Sequence, residues 1–259
     1  MRKKRSAKLG PLSVLAVLRE LRRGQGDPRP LAVAGSRELA PLLARELRRG
    51  GDPSAVVEGG TDAAALVWLG PPDEEALRAA DCAEIPIVAV GETRSLPYVL
   101  ATDVVLVPPG QGFPVERIAA ALARRLGEDG TALAARLPVL REAVCAQLIR
   151  TAARRNAAVA AAVFVPGVDM PVLTLNQVRL VLRIALAHGV ELDGRRGAEL
   201  LAVVGAGAGF RAVAREALDV VPVAGWALKG AVAYGGTKAI GEAALRYFAA
   251  ADGAVRPGS

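Results

Sequence analysis

The sequence predicts an α/β domain followed by an all-α domain: an N-terminal three-layer parallel-sheet domain, then a C-terminal helical bundle. Short apolar runs alternate with helical segments from residue 31 onward, and only helical patterns follow Gly127. The charge also changes sign near residue 130. Residues 31–130 hold nine Lys/Arg and fifteen Asp/Glu, whereas residues 131–259 hold fifteen and nine. Both changes indicate a domain boundary near residue 130.

Residues 1–30 predict a basic tip, an amphipathic helix and a linker. Apolar residues recur at helical spacing between residues 12 and 21, and the stretch 24–30 (GQGDPRP) predicts the end of that helix. The basic residues ahead of the helix are Arg2, Lys3, Lys4, Arg5 and Lys8. Such a cluster is ordinarily a solvated tail, but beside an amphipathic helix it fits an anionic membrane surface, at ~1 kcal/mol per basic residue. Nucleic acid would attract it too, yet no aromatic stacking platform accompanies it, so we do not expect that partner.

Residues 31–130 carry the pattern of a parallel sheet with helices on its faces. The apolar runs lie at residues 31–34, 55–57, 64–69, 85–90 and 104–107. The helical segments lie at residues 36–49, 73–80 and 114–126. Strands that alternate with helices run parallel, because each helix carries the chain back along the sheet.

Residues 131–250 predict helices only, and residues 251–259 predict a disordered tail. The helices are expected at residues 133–163, 171–188, 195–218, 223–234 and 237–249. Pro138 allows a break in the first of these helices. Asp169 is the start signal of the second helix, and Gly189 is its stop signal.

Several motifs in this helical region follow one another in order. They are residues 165–171 (VPGVDMP), 175–185 (LNQVRLVLRIA), 221–226 (VPVAGW), 235–241 (GGTKAIG) and 246–248 (RYF). The pattern resembles domain-of-unknown-function family 697, the YcjF-like family. The resemblance implies a helical domain without established chemistry, often C-terminal to an Era-like GTPase domain or near the membrane. As partners it implies a GTPase or self-association through the helical domain.

The α/β domain resembles a degenerate Era-like GTPase domain in its order of elements, but the chemical motifs are missing. A P-loop needs a glycine-rich loop followed by Lys and Ser/Thr, whereas residues 31–38 read LAVAGSRE. The carboxylate expected after the third strand and the base-reading Asn-Lys-x-Asp are replaced by residues 67–70 (VWLG) and 90–93 (VGET). We therefore expect a domain without a P-loop, with no GTP hydrolysis and no cofactor.

The turn after the first strand leaves one binding alternative open. Helix N-termini attract anions in general, so Gly35 and Ser36, helped by Arg37, would hold a phosphate. The domain would then be a nucleotide- or anion-binding switch that has lost GTP hydrolysis. The ordinary interpretation is that Gly35 makes the turn and Ser36 caps the helix.

Two further groups in the helical region predict contacts. Asn176, Arg179 and Arg183 share one stripe of an otherwise apolar helix. A hydrogen-bonded stripe inside the bundle is the favoured interpretation, because buried polar groups must be paired. Contact with an acidic partner or a lipid phosphate is the alternative. Gly205 and Gly209 lie on one helix face and predict close helix packing rather than a dinucleotide fingerprint, whose context is missing.

The remaining residues predict neither a catalytic nor a metal site. His188 is the only histidine, and a metal site or a catalytic triad would need partners that the sequence lacks. Two cysteines without a secretory signal, and no apolar run of ~18 residues, predict a cytoplasmic protein, peripheral at the inner face of the cell membrane if it meets lipid. We expect a non-enzymatic, membrane-proximal accessory or scaffold protein. The alternatives are the switch described above and nucleic-acid binding through the basic ends.

Overall fold

A computed structural model describes Val17, Arg19 and residues 29–60, 62–108, 110–162, 170–191 and 225–255. The chain divides into two compact units. One comprises Gln25–Gln147 with Ala187–Gly189 and contains a parallel sheet; we call it the α/β unit. The other contains Leu148–Leu186 and the chain from Val190 onward, and we call it the helical unit.

The α/β unit is built on five parallel strands in the order β2-β1-β3-β4-β5. They are β1 (Leu31–Gly35), β2 (Val56–Glu58), β3 (Ala65–Leu69), β4 (Ile87–Gly91) and β5 (Val104–Leu106). All five residues of β3 are buried, which explains why its sequence is continuously apolar rather than alternating. The prediction of a parallel sheet, with strands at these five places, is confirmed.

Among the described residues, four α-helices lie entirely within this unit: α1 (Leu39–Leu47), α2 (Glu74–Cys82), α3 (Val115–Leu126) and α4 (Gly130–Arg136). Helix α2 places Leu77 and Ala80 in one core cluster with Trp68 of β3 and Ala89 of β4. Helix α1 packs on β1 and β2, and α3 packs on β4 and β5. This strand order is that of a doubly wound sheet whose topological switch point lies between β1 and β3.

The α/β unit extends beyond residue 130, to Gln147. The end of α4 is held by the loop before β2: the backbone N–H of Asp52 donates to the carbonyl of Arg136 at 2.9 Å. Helix α5 (Pro138–Ala162) begins directly after Leu137, with the proline at its first position, where no backbone N–H is needed. The predicted break at Pro138 is therefore present.

The helical unit contains the second part of α5, most of α6 (Met170–Ala187) and α7 (Gly225–Val255). Gly189 follows α6 with a φ of 75°, as expected of its stop signal. The prediction of separate helices at 223–234 and 237–249 is wrong, because α7 runs unbroken through Gly235 and Gly236. The predicted helix at 195–218 lies outside the described residues. No helix within the described part of the chain is long and apolar enough to cross a membrane.

Candidate functional site

Polar side chains from three helices meet inside the helical unit. Asn156 of α5 donates from Nδ2 to Oγ1 of Thr237 of α7 at 2.9 Å. Asn176 of α6 donates from Nδ2 to Oδ1 of Asn156 at 2.8 Å. We call these three residues the polar node. One side chain thus bridges two neighbouring helices by using its amide as donor to one and acceptor from the other.

The polar node is buried. Asn156 and Thr237 are both 0% exposed, and Asn176 is half-buried. A buried amide or hydroxyl that loses its partner costs ~1–3 kcal/mol, whereas a paired one is tolerated. The node therefore penalises any shift of one helix along another that would separate these three side chains.

Two neighbours on α6 extend the polar node toward the surface. Gln177 donates from Nε2 to Oγ1 of Thr237, and Arg179 donates from Nη1 to Oδ1 of Asn176, each at 3.5 Å. Arg179 is half-buried, as is Arg183 one turn further along. Asn176 and Arg179 thus make the hydrogen bonds within the unit that the polar stripe predicts. Contact of Arg179 and Arg183 with an acidic partner stays a prediction.

Helix α7 packs against its neighbours through small side chains. Its buried positions recur at spacings of three, four and seven residues, as in helices that pack closely: Gly230, Thr237, Gly241, Ala244 and Phe248. A Cβ built on Gly241 would lie 2.6 Å from Cγ1 of Ile149 on α5 and 3.1 Å from Cδ2 of Leu180 on α6. Glycine at this position lets α7 lie against both helices at once.

The β1–α1 turn has the geometry of a structural turn. Gly35 has a φ of 107°, and a Cβ at this position would collide with the carbonyl of Leu69. The Oγ of Ser36 accepts from the backbone N–H of Leu39 at 3.3 Å, and the N–H of Ser36 donates to the carbonyl of Leu69 at 2.8 Å. Arg37 is exposed. The capping interaction of Ser36 and the turn at Gly35 agree with the ordinary interpretation of this segment.

The end of β3, beside this turn, carries a buried aromatic side chain. Trp68 of β3 is 5% exposed and donates from Nε1 to the carbonyl of Pro71 at 3.0 Å. Gly70, directly after β3, lies beside Ser36: a Cβ built on Gly70 would lie 3.6 Å from the Cβ of Ser36. The segment where a GTPase would carry its magnesium-side carboxylate is thus a tryptophan packed into the core.

Several residues of interest lie outside the described residues. They are the five basic residues of the tip, Arg2, Lys3, Lys4, Arg5 and Lys8, and the glycines Gly205 and Gly209. Membrane contact by the first group and close packing by the second therefore stay predictions. Among the described residues, close glycine packing occurs instead at Gly241.

The bond between Asn156 and Thr237 joins two residues that lie far apart in the sequence. The available signal was a lone amide in an alanine-rich helix and a threonine after two glycines, each buried where an apolar side chain would be expected. Pairing the two requires knowing that α5 and α7 are neighbours, which no local pattern states.

The polar node holds two amides and one hydroxyl, all neutral groups that form hydrogen bonds with one another. Such groups orient and join helices. Within the described ranges, no three His, Cys, Asp or Glu side chains are grouped so as to hold a metal ion. No known protein-family model, curated protein or solved structure matches the chain.

Proposed function

We propose that this protein is a non-enzymatic, membrane-proximal accessory or scaffold protein that rests on anionic lipid through its basic part. The observation that carries the proposal is a segregation of charge between the two parts of the chain. Residues 25–147, which form the body of the α/β unit, contain 12 Lys/Arg and 17 Asp/Glu. The rest of the chain contains 21 and 9, so the two parts carry about −5 and +12.

This segregation has a direct electrostatic consequence. An anionic leaflet attracts nearby basic residues by ~1 kcal/mol each and repels carboxylates, over a distance of about one Debye length. The basic part of the chain is therefore attracted to the lipid, whereas the acidic α/β unit is not. The exposed Arg154 on α5 and the basic tip at residues 2–8 contribute to this attraction.

The proposed architecture is an α/β domain without a P-loop followed by a YcjF-like helical bundle. The structural turn at Gly35 and Ser36 supports the first part, because the N–H of Ser36 is engaged by β3. The polar node and the tight position of Gly241 support the second, because they join α5, α6 and α7. A module built to hold helices together suits a scaffold better than a catalyst.

Co-sedimentation with lipid vesicles tests the proposal on the full chain. With vesicles of phosphatidylserine and phosphatidylcholine at low salt, we expect the protein in the pellet; with phosphatidylcholine alone, we expect it in the supernatant. High salt should weaken the binding, because the attraction is electrostatic. Full-length protein that stays in the supernatant with anionic vesicles at low salt would contradict membrane binding and favour a soluble scaffold.

A matched pair of variants locates the binding face. Arg154→Glu reverses an exposed charge on α5, and Arg45→Glu reverses an exposed charge on α1 of the acidic unit. Both change the net charge equally. We expect roughly a thirtyfold loss of vesicle binding for Arg154→Glu, because the reversal changes the charge by two units at ~1 kcal/mol each, and little change for Arg45→Glu. Equal losses would mean that net charge alone, and not the helical unit, governs the binding.

A nucleotide- or anion-binding switch is the second candidate. The strand order favours it, because doubly wound sheets bind ligands at the carboxyl ends of their strands at the switch point, here the ends of β1 and β3. Gly35 and Gly70 lie there. The engaged amide of Ser36 and the exposed carboxylate of Glu38 beside it weigh against a phosphate. Nucleic-acid binding through the basic ends is tested by adding RNA to the vesicle assay, where it would compete.

A further inference from the structure

The two edge strands of the sheet are short and lie beside arginine side chains. Strands β2 and β5 end the sheet on either side, and each has three residues. An edge strand offers unpaired backbone groups to which a strand of another chain can bind, so natural proteins protect such edges.

On β2, one of the outward-facing carbonyls, that of Val56, accepts hydrogen bonds from an arginine. The N–H of Gly59 donates to the carbonyl of Val33 on β1 at 2.9 Å, so the backbone of Gly59 faces inward. The backbone N–H and C=O groups of successive strand residues point to opposite sides of the strand. Those of Val56 and Glu58 therefore point away from β1. Arg48, at the end of α1, donates to the carbonyl of Val56 from Nε at 3.2 Å and from Nη2 at 2.8 Å.

On β5, the same arrangement comes from a different helix. The N–H of Val107 donates to the carbonyl of Gly91 on β4 at 2.9 Å, so Leu106 faces outward. Arg117, in the first turn of α3, donates from Nη1 to the carbonyl of Leu106 at 3.1 Å. Just before β5 begins, Arg124 of the same helix donates from Nη2 to the carbonyl of Thr102 at 2.9 Å.

We infer that Arg48 and Arg117 are edge caps, which keep the sheet from adding a strand of another chain. Each guanidinium fills a carbonyl that an incoming strand would need, and each keeps a positive charge at the edge. An incoming strand would have to displace the arginine and leave a charge without its acceptor. Partners of the α/β unit must then bind through its side-chain surfaces and not by strand addition.

The test compares two double variants that remove the same charge. Arg48→Ala/Arg117→Ala removes both caps, and Arg37→Ala/Arg45→Ala removes two exposed arginines of the same unit. Size-exclusion chromatography with light scattering, over a range of protein concentrations, reports the mass. We expect the uncapped variant to rise to roughly twice the wild-type mass or more at high concentration, and to bind thioflavin T. We expect neither change in the control.

Arg117→Ala alone keeps the test valid if the double variant unfolds, because the Arg117 side chain is exposed and its removal should leave the melting temperature nearly unchanged. Association of this folded single variant, with the control unchanged, supports the edge cap on β5. A folded Arg117→Ala that keeps the wild-type mass at every concentration overturns the inference. Equal association in the charge-matched control overturns it too, since loss of charge alone would then explain the effect.

Discussion

Asp52 and Arg136 are joined twice, once through the backbone and once through their side chains. The N–H of Asp52 donates to the carbonyl of Arg136 at 2.9 Å, and Nε of Arg136 donates to Oδ2 of Asp52 at 3.0 Å. Ser54 completes the contact: its Oγ donates to Asp52 at 2.7 Å and accepts from Nη2 of Arg136 at 3.0 Å. This contact attaches α4 to the loop before β2, across 84 residues of sequence.

The first prediction concerns the pH dependence of this contact. The hydrogen bonds from the side chain and the backbone of Ser54, together with Arg136, lower the pKa of Asp52 from its ordinary 3.8. A lowered folded-state pKa stabilises the protein above the unfolded-state pKa, and the contribution is lost as the pH falls through the folded-state pKa. Asp52→Asn should therefore lower the melting temperature at neutral pH, and the difference from wild type should shrink below about pH 4.

Melting curves between neutral and acid pH, followed by circular dichroism, check this prediction. Asp62→Asn is the matched control. It also removes a carboxylate near an arginine, Arg29 at 3.9 Å, but the Asp62 side chain is 90% exposed, so this pair is screened by solvent. Its melting temperature should follow that of the wild type at every pH. An Asp52→Asn variant with the same difference from wild type at pH 7 and pH 2 would show that the effect is not ionic.

The second prediction concerns the polar node. Thr237→Val keeps the shape of the side chain but removes the acceptor for Asn156, and Asn156→Ala removes the partner of both neighbours. Each should cost ~1–3 kcal/mol, because a buried amide or hydroxyl is left unpaired. In a chain of this size that corresponds to a fall in melting temperature of about 2–4 °C per kcal/mol.

A double-mutant cycle separates the pair from its surroundings. The double variant Asn156→Ala/Thr237→Val should cost clearly less than the sum of the two single variants, because both partners of one bond are then absent. Additive losses would indicate that the two side chains act independently, and the polar node would not be one unit.

The third prediction concerns glycine packing on α7. Gly241→Ala places a Cβ within 2.6 Å of Ile149, so the helices must shift, at ~1–3 kcal/mol for overpacking. Gly235→Ala meets no atom within 4 Å among the described residues and should stabilise the helix by up to ~1 kcal/mol, since alanine has the higher helix propensity. Chemical denaturation of both variants measures the change in the free energy of unfolding, which we expect to have opposite signs in the two. Stabilisation by both substitutions would mean that α7 does not lie closely against α5.

The fourth prediction concerns nucleotide. We expect calorimetry with GTP and magnesium to show no heat above mixing, because the N–H of Ser36 is bonded to Leu69 and Trp68 is buried. Ser36→Ala should instead lower stability by ~1 kcal/mol through the lost helix cap. A micromolar, magnesium-dependent dissociation constant that Ser36→Ala abolishes would establish the switch in place of the scaffold.

Parts of the fold follow from local patterns and could be predicted from them. The five strands and the helices α1 to α3 lie within a few residues of their expected places, because apolar runs and helical spacing are properties of neighbouring residues. The start of α5 at Pro138 follows from the missing N–H of proline. The capping role of Ser36 follows from its place before a helical pattern.

The continuity of α7 could not be read in this way. Two adjacent glycines predict a break, since each costs ~1 kcal/mol relative to alanine in a helix. Thr237 and Gly241, just beyond them, pack against α5 and α6, and this packing outweighs the local preference. Whether the helix continues through the two glycines therefore depends on side chains that are more than fifty residues away in the sequence.

Composition and hydrophobic periodicity predict that a parallel sheet precedes a helical region, and that the charge of the two parts differs in sign, because both are properties of neighbouring residues. The strand order, the pairing of Asn156 with Thr237, and the arginines that reach the edge carbonyls of Val56 and Leu106 are seen in the folded chain alone. Each of these joins groups that no short-range pattern relates. Their positions depend on how whole helices and strands pack, which the sum of many weak contacts over the chain determines.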